Sequence, residues 1–419
     1  MKMLACLVSA TVVLLCPTAH AGSLSQREVL SSVLRENPRL NAARAKWEAM
    51  KKRIPQAKAW EDPMVGVDVE RVGTTRFDTF TDNEWMASQS VPITGKNLVR
   101  GRIARAEALG VFEEFRRVEL DVISRAKIAY VRLAGAYAQL EINSRNEDVL
   151  KQLAEITRVK YESGTQSQAE VLIAQTDLAR LGETRSLIAR ELSDQQTQLN
   201  VLMNRPASSA LGGPRGLTFT SLPLSRKTIE AEVLAKRPEV ILAARSVEAE
   251  KSRRALAKRQ WIPDPQLRVE ARQFNGSGGI TEYDTGVFFT VPWPNYVKYS
   301  AAIAEAERSL EKAQHEYDAA RTETLGLVRD QLKKIETSAQ NYRLFTDKLV
   351  PLAQQAMQAT RSSYESDKTT FLELLTTRRT SQDVESAALQ HLIEHEVAIA
   401  ELEAIIGRTA QDDQNGDAK

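Results

Sequence analysis

The chain has 419 residues and a formal net charge of +2, so it could hold two or three ordinary domains and shows no charge excess that would point to a nucleic-acid partner. Aromatic residues make up only 6% of the chain, which argues against a large core of packed rings. Both cysteines, Cys6 and Cys16, lie near the N-terminus, so the rest of the chain offers neither a disulfide nor a thiolate metal ligand.

Residues 1–21 have the pattern of an export signal. The apolar stretch Leu4–Cys16 precedes Ala19-His20-Ala21, which is a typical cleavage site. We expect the mature chain to begin near Gly22 without a lipid, because Leu15 is too bulky for the position before a lipidated cysteine. No later run approaches the ~18 continuous apolar residues of a membrane helix, which leaves a secreted, periplasmic or outer-membrane protein.

The second half of the sequence repeats the first at an offset of about 200 residues, which indicates a duplicated domain. The matched motifs are Asn37-Pro38 with Arg237-Pro238, Trp60 with Trp261, Asp62-Pro63 with Asp264-Pro265, Val91-Pro92 with Val291-Pro292, and Tyr161-Glu162-Ser163 with Tyr364-Glu365-Ser366. We expect the first repeat over residues 22–222, the second over 223–408 and a flexible tail over 409–419. Each repeat reads as a short helix, two strands, a very long helix and a long helix.

Two stretches predict very long helices. Gly95 to Ser163 contains no proline and would extend roughly 100 Å as a helix, and Val297 to Asp367 is interrupted only by Pro351. Apolar residues recur every seven positions in both stretches, which indicates coiled-coil seams. The first series is Ile142, Val149 and Ile156, and the second is Val328, Ile335, Tyr342, Leu349 and Ala356.

The partner helices, Gln166–Asn204 and Thr369–Arg408, are shorter than the two long ones. The short helices Pro38–Trp60 and Pro238–Trp261 could fill the difference by stacking end to end on these partners. That arrangement predicts four helical lines in each chain, to match four strands.

Four short segments alternate between apolar and polar residues, which predicts strands with one apolar and one polar face. They lie over residues 64–73, 84–93, 266–274 and 282–293. Each is near the ~9–11 residues of a tilted strand that crosses a bilayer, and the alternation suits a water-filled barrel. A half-buried sheet on a soluble domain fits the alternation equally well.

Three tryptophans, Trp60, Trp261 and Trp293, stand at the strand ends, where an interfacial aromatic girdle belongs. Prolines also lie at the junctions between helices and strands. Because proline has no backbone N–H, it interrupts a helix and suits a change from helix to strand. These prolines are Pro63, Pro92, Pro263, Pro265, Pro292 and Pro294.

Four strands in one chain cannot close a membrane barrel, because the smallest barrels have about eight. An open sheet edge cannot face lipid, so closure must come from several chains. Two chains would give eight strands around a filled interior, whereas three would give twelve and a passage. The strand count therefore favours a homotrimer. A periplasmic coiled-coil scaffold without a pore accounts for the heptads but not for the export signal or the paired strands.

The residues from Tyr161 to Gln175 are similar to the helix–turn–helix tip of the TolC-type family of outer-membrane efflux channels. The positions that match the family pattern are Tyr161, Gly164, Ser167, Val171 and Leu172. Glu84–Lys96 and Glu36–Leu40 most resemble the branch that serves cobalt-zinc-cadmium and copper efflux. The resemblance covers nearly all of the mature chain.

This resemblance implies a mainly α protein with a small β part, in which a trimeric 12-stranded outer-membrane β-barrel continues into a long periplasmic α-helical coiled-coil barrel. It implies a passive exit duct, with no enzymatic activity and no cofactor, that receives substrate from a periplasmic adaptor and a proton-driven inner-membrane pump. Heavy-metal cations are the cargo that the branch suggests, with drugs and secreted polypeptides as alternatives. The loops near residues 73–83 and 275–282 would face outside, and the termini would lie in the periplasm.

In the family, acidic residues at the start of the last helix close the periplasmic end, and the matching stretch here is Phe371–Thr376. Glu373 falls on an acidic position of the pattern, Thr376 stands where a second acid is expected, and Asp367 is a further candidate. Three copies of Glu373 around a threefold axis would form a carboxylate ring, which favours cations. The alternative is an ordinary solvated glutamate near a helix N-terminus, where its charge is favourable in any case.

The turns at the ends of the two long helices would be the tips that contact the adaptor. Gly164 is expected to end the first long helix as a left-handed cap. The candidate contact residues are Gly164, Thr165, Gln166, Ser167, Lys368, Thr369 and Thr370.

His391 to His395 matches the H-x-x-E-H pattern of some metallopeptidases. Too few residues follow His395 for the further ligand-bearing helix of such enzymes, so we reject an enzyme. His395 also belongs to an apolar series that predicts packing, formed with Ala388, Leu392, Ile399, Leu402 and Ile406. A weak zinc contact at His391 and His395 stays open as the minor alternative, because two histidines at i and i+4 can bind Zn²⁺.

Overall fold

A computed structural model of the chain describes residues 23–70, 82–222, 225–274 and 279–407. The expected export signal, the question of a lipid on Cys16, the tail over 409–419 and most of both strand-linking loops lie outside the described residues. Those expectations therefore stay predictions.

The described residues form nine α-helices and four strands. The helices are α1 (Gln26–Glu36), α2 (Pro38–Lys58), α3 (Lys96–Glu162), α4 (Gln168–Leu202), α5 (Arg226–Lys236), α6 (Pro238–Arg259), α7 (Tyr296–Leu344), α8 (Val350–Glu365) and α9 (Phe371–Ile406). The strands are β1 (Met64–Glu70), β2 (Asp82–Ser90), β3 (Pro265–Phe274) and β4 (Glu282–Phe289). Each repeat therefore has the expected order, preceded by one further short helix.

The four strands form one antiparallel sheet in chain order, and its two faces differ in chemistry. One row across the sheet is apolar: Val67, Trp85 and Tyr283 are exposed and Ala271 is half-buried. The neighbouring row, on the opposite face, is Gly66, Met86, Glu270 and Asp284. The predicted alternation is confirmed, and β1 and β4 are left as the two outer strands of the sheet.

β4 ends at Phe289, short of the expected residue 293. A 3₁₀ turn over Trp293–Asn295 follows and leads into α7. Pro292 and Pro294 explain the early end, because neither can donate to a strand ladder.

The helices stand in two tiers, and α3 spans both. In the tier beside the sheet, neighbouring helices follow the order α2, α3, α6 and α7. In the tier farther from the sheet, the order is α4, α3, α9 and then α7, which α8 continues. The tiers meet end to end, since the Asn37 side chain at the start of α2 donates to the carbonyl of Leu202 at the end of α4, 2.9 Å away. The predicted four helical lines are thus confirmed.

A π turn over Phe345–Leu349 joins α7 to α8 and shifts the predicted seam by one residue. Val328 and Ile335 are buried before the turn, as expected. After the turn Ala356 is exposed, while Met357 and Tyr364 face the core. The seven-residue series of the second repeat was therefore wrong at Ala356, because the π turn adds one residue to the helical phase.

The segment between the repeats is held against the helices of both. The Tyr130 hydroxyl of α3 donates to the Leu24 carbonyl at 2.9 Å and accepts from the Arg215 amide at 3.1 Å. Farther along, the Thr220 amide and hydroxyl donate to the Glu396 carboxylate at 2.7 and 2.8 Å.

None of the helices described here carries an apolar stretch long enough to span a membrane.

Candidate functional site

The two helical hairpins end in turns of the same geometry at the far end of the molecule from the sheet. Gly164 follows α3 with φ of +75°, and Asp367 follows α8 with φ of +57°. The amides of the next residues, Thr165 and Lys368, donate to the carbonyls five positions back at 2.9 and 2.8 Å. The predicted left-handed cap at Gly164 is confirmed. Asp367 takes the same position because aspartate tolerates a left-handed backbone better than most residues.

The adaptor-contact candidates lie on these turns, and their side chains reach solvent. Gly164, Thr165, Ser167, Lys368 and Thr370 are exposed, and Gln166 and Thr369 are half-buried. The structure thus brings the predicted tip residues of both repeats to one end of the molecule.

Lys160 links the two tips. Its ammonium group lies 2.6 Å from the Asp367 carboxylate and donates to the Tyr364 carbonyl at 3.1 Å. Tyr364 is itself buried against Phe371, and its hydroxyl lies 3.3 Å from the Thr157 hydroxyl. The Asp367 side chain is 77% exposed, so its charge is paired at the surface. Sequence reasoning missed Lys160, which carries no pattern in the sequence.

Glu373 is exposed in the first turn of α9, where Thr370 is the N-cap. The Glu373 amide donates to the Thr370 hydroxyl at 3.3 Å, and the Thr369 hydroxyl donates to the Glu373 carboxylate. These contacts fit the capping alternative and leave the carboxylate facing solvent. Thr376 is also exposed, one turn on, and its hydroxyl donates to the Leu372 carbonyl at 2.8 Å.

A buried ion-pair cluster joins the two hairpins above the tips. Asp177 of α4 accepts from Arg378 of α9 at 3.3 Å and from Arg379 Nε at 3.0 Å. The side chains of Asp177 and Arg378 are each only 4% exposed. Two guanidinium groups, that of Arg378 buried and that of Arg379 partly exposed, thus share one buried carboxylate. Burial raises the pKa of Asp177, but the hydrogen bonds and charges of Arg379 and Arg378 lower it by more, so the pKa ends below its usual value.

The sequence carries a signal for this cluster. Ala174, Leu181 and Ile188 recur every seven residues and are buried. Asp177 lies three positions after Ala174, where the same seam calls for an apolar residue. A charge at such a position requires a partner, because an unpaired buried charge is costly.

His395 is buried in the expected helical seam and both of its ring nitrogens face protein groups. Nε2 lies 2.8 Å from the Thr220 carbonyl and Nδ1 lies 3.3 Å from the Ser338 hydroxyl. Its ring stacks on Phe219 with centroids 4.4 Å apart. The packing role predicted for His395 is confirmed. His391 instead lies 3.3 Å from Glu394 and packs edge-on against Phe345. In the ranges that the structure describes, no three His, Cys, Asp or Glu side chains gather as a metal site would require.

The predicted aromatics lie at the junction between sheet and helices. Trp60 and Trp293 are largely exposed, at 58% and 67%. Trp261 is half-buried and packs against Tyr299, with ring centroids 5.3 Å apart. Their contact with a membrane interface stays a prediction.

The family model for outer membrane efflux proteins matches residues 29–205 and 231–408, one match for each repeat. The chain belongs to this family. Its sheet and long helices are therefore those of an outer-membrane efflux channel with a long periplasmic helical part, a kind of protein that is not an enzyme. The TolC-type resemblance is confirmed.

Two relatives are similar over most of this chain. The cobalt-zinc-cadmium resistance protein CzcC of Cupriavidus metallidurans is 24% identical over 417 residues, which cover 94% of this chain and 92% of that protein. The pyoverdine export outer membrane protein OpmQ of Pseudomonas aeruginosa is 21% identical over 315 residues, which cover 72% of this chain and 64% of that protein. The match to CzcC supports the resemblance to the heavy-metal branch.

Solved outer-membrane channels share the fold. CusC superposes with a TM-score of 0.80 at 17% identity over 91% of both chains, and its crystal structures concern folding and transmembrane channel formation. VceC of Vibrio cholerae superposes with a TM-score of 0.78 at 17% identity over 91% of this chain and 96% of that one.

Proposed function

We propose that three copies of this chain form the outer-membrane exit duct of a tripartite efflux system. The observation that carries the proposal is the open arrangement of the single chain: a four-stranded sheet with two outer strands continues into a row of helices that also has two open ends. Three such units supply twelve strands, which is enough to enclose a passage.

The apolar face of the sheet would contact lipid and the charged face would line the passage. Val65, Val67, Tyr283 and Val287 expose 56–77% of their surface on the apolar face. The other face carries Asp68, Glu84, Glu270, Asp284, Arg268 and Arg272. Exposed aliphatic and aromatic side chains lie mainly on the apolar face, as a membrane barrel needs, whereas the other face exposes Met64 and Phe288 near the strand ends.

Heavy-metal cations are the proposed cargo. The likeness to CzcC favours them, because that relative is a cobalt-zinc-cadmium resistance protein. OpmQ, a pyoverdine export protein, favours an organic cargo as the second candidate. Deletion of the gene distinguishes the two cargoes. Loss of tolerance to cobalt, zinc and cadmium supports metal cations as the cargo. Unchanged metal tolerance, with an organic solute retained in the cell, supports an organic cargo.

A periplasmic adaptor would contact the hairpin tips, and an inner-membrane pump, proton-driven in our proposal, would supply the energy. Five of the seven tip residues are exposed, on paired turns of the same geometry, which suits recognition by one repeated partner surface. Replacing Thr165 and Lys368 with glutamate should abolish capture of the adaptor in a pull-down from membranes. The matched replacement of Ser186, exposed in mid α4, should leave capture intact.

Conductance tests the duct itself. The purified protein should run as a heat-resistant trimer and should open defined conductances in planar lipid bilayers. A stable, folded monomer in detergent, or a trimer that never conducts, would instead support the periplasmic scaffold.

Glu373 is the proposed aperture residue. Three copies facing one another would attract cations and bind divalent ions, so Glu373→Gln should weaken both cation preference and block by divalent ions added from the periplasmic side. Raised salt should shrink the difference from wild type, because exposed charges are screened. Glu170→Gln, at the matching turn of the first repeat, is the control and should have a smaller effect. Unchanged block in Glu373→Gln with altered block in Asp367→Asn would move the aperture to Asp367.

A further inference from the structure

A polar cavity of about 550 Å³ lies between α3, α8 and α9, in the part of the molecule between the hairpin tips and the π turn. Residues 145–149 of α3, 354–365 of α8 and 378–385 of α9 form its walls. Small-molecule sites span roughly 300–1,000 Å³, so the cavity is large enough for a small organic ligand. None of the proposed aperture or adaptor-contact residues lines the cavity, so its role is separate from theirs.

The buried seam of α9 becomes polar where it meets the cavity. Leu375 is buried on the tip side of the cavity, and Ala388 is buried on the other side. Between them, Arg378 and Ser381 are 3% and 9% exposed and form part of the cavity wall. A seam that served only packing would hold apolar residues at these two positions. The ion pair with Asp177 accounts for Arg378 in part, but no hydrogen bond to the described residues accounts for Ser381.

Three donor groups of the cavity wall are left without a protein partner. The Arg378 guanidinium group donates to Asp177 at 3.3 Å and to the Gln382 side chain at 3.0 Å, but its buried Nε has no hydrogen-bond partner in the described chain. The Ser381 hydroxyl forms no hydrogen bond with the described residues, and neither does Arg145, which is exposed. A buried donor without a partner is costly, so these groups favour a ligand that accepts hydrogen bonds.

The arginines of this region carry more positive charge than Asp177 compensates. Asp177 is shared by Arg378 and Arg379, so the cluster keeps one positive charge, and the unpaired Arg145 adds a second. Burial lowers the pKa of Arg378, and the attraction of Asp177 offsets this only in part. A further anion nearby would therefore stabilise the charged guanidinium group.

The acids of the cavity wall compensate one of these two charges. Glu365 pairs with Arg361 at 3.1 Å, so this pair is neutral. Glu385 accepts a hydrogen bond from the Gln354 side chain at 2.9 Å and has no cationic partner among the described residues. Glu385 thus offsets one positive charge, and one remains. The cavity and the cluster behind it therefore match a ligand with a single negative charge.

We propose that this cavity binds an organic monocarboxylate. The carboxylate would accept hydrogen bonds from Arg145, Arg378 and Ser381, since guanidinium groups bind carboxylates through paired, charge-assisted hydrogen bonds. The apolar part of the ligand would pack against Val149 and Met357, which are the apolar side chains of the wall. The bound anion would link α3 of the first repeat to α8 and α9 of the second. All of these residues belong to one chain, so the site does not require the trimer.

Calorimetric titration of the detergent-solubilised full chain with 3-phenylpropionate tests the site. The acid should bind at least about tenfold more tightly than 3-phenylpropionamide, which has the same shape without the charge. Inorganic phosphate should also bind more weakly than the acid, because it has no apolar part. Binding of the amide or of phosphate as tightly as that of the acid, or no binding of the acid at all, would overturn the proposal.

Two variants locate the bound carboxylate in the cavity. Arg145→Gln removes a charged donor and should weaken the binding of 3-phenylpropionate about tenfold. Arg132→Gln is the matched control, because Arg132 is exposed on the same helix outside the cavity, and it should leave the affinity unchanged. Ser381→Leu would continue the apolar seam and fill the cavity, so it should abolish binding while helical circular dichroism is kept. If Ser381→Leu does not fold, the two arginine variants decide alone. Unchanged affinity in Arg145→Gln, or in a folded Ser381→Leu, would overturn the site.

Discussion

Asp177 takes part in a buried ion pair, and its environment allows a sharp test. It bridges α4 to α9 through Arg378 and Arg379, in the part of the molecule nearest the tips. Neither the position of Asp177 in the sequence nor the residues next to it indicate that its partner is an arginine about 200 residues away. The residue scale is thus where the sequence was least informative: roles for Glu373, Thr376 and Asp367 could be proposed from likeness to a family, whereas the contacts of Lys160 and the arginine partners of Asp177 required coordinates.

Asp177→Asn should destabilise the hairpins by about 3 kcal/mol, because it leaves two guanidinium groups without a counter-charge, one of them buried. The pKa of Asp177 is below its usual value in the folded protein, so its stabilisation is present above the unfolded pKa, about 3.9, and is lost as pH falls through the folded pKa. Thermal unfolding at pH 7 and in steps toward pH 2 measures this. The gap between wild type and variant should close at the acid end, and a gap independent of pH would contradict the ion-pair account. Asp194→Asn, on an exposed face of the same helix, is the control.

At the scale of elements, the long helices and the strands were predictable because their periodicities extend over many residues. The expected stretch Gly95–Ser163 became α3 to within one residue at each end. The π turn could not be predicted, because a change of helical phase does not alter the residue composition of the helix. Pro351 indicates only that the helix is interrupted near that position. The effect of the π turn is to turn Met357 and Tyr364, rather than Ala356, toward the core, and so it sets the position of the tip.

Gly135 is required by the close packing of α3 against α9. A Cβ on Gly135 would lie 2.7 Å from Ile393 Cγ1. Gly135→Ala should therefore cost about 1–3 kcal/mol, as overpacking does. Gly182 in α4 is the matched control, because a Cβ there meets nothing within 4 Å, and Gly182→Ala should stabilise the helix by about 0.4–1 kcal/mol. Loss of helical circular dichroism on heating compares the two variants. Adding Ile393→Ala to Gly135→Ala should relieve the clash, and failure to do so would locate the cost elsewhere.

At the scale of the whole molecule, the duplication and the strand count predicted an assembly that the single chain cannot complete. The helical row has two open ends and the sheet has two outer strands for the same reason. In both, the chain contains only two repeats, so the outer side of each repeat lacks a neighbouring repeat. No periodicity marks the strand-linking loops or the termini, and most of these residues lie outside the described ranges, so their expected boundaries stay predictions.

The orientation of the sheet toward lipid can be tested with two adjacent residues of β2. Ala87 pairs with Val65 and Val269 on the apolar face, and Met86 pairs with Gly66 and Glu270 on the charged face. Both lie near the middle of the strand, so their depth in the membrane is nearly the same. An arginine facing lipid at mid-depth costs about 2–4 kcal/mol, whereas one facing the passage stays solvated and lies beside an acidic row. Ala87→Arg should therefore remove most of the heat-resistant oligomer from outer-membrane fractions, and Met86→Arg should leave it near the wild-type amount. The opposite result would mean that the charged face, not the apolar one, meets the membrane, and it would overturn the barrel arrangement from which the passage is inferred.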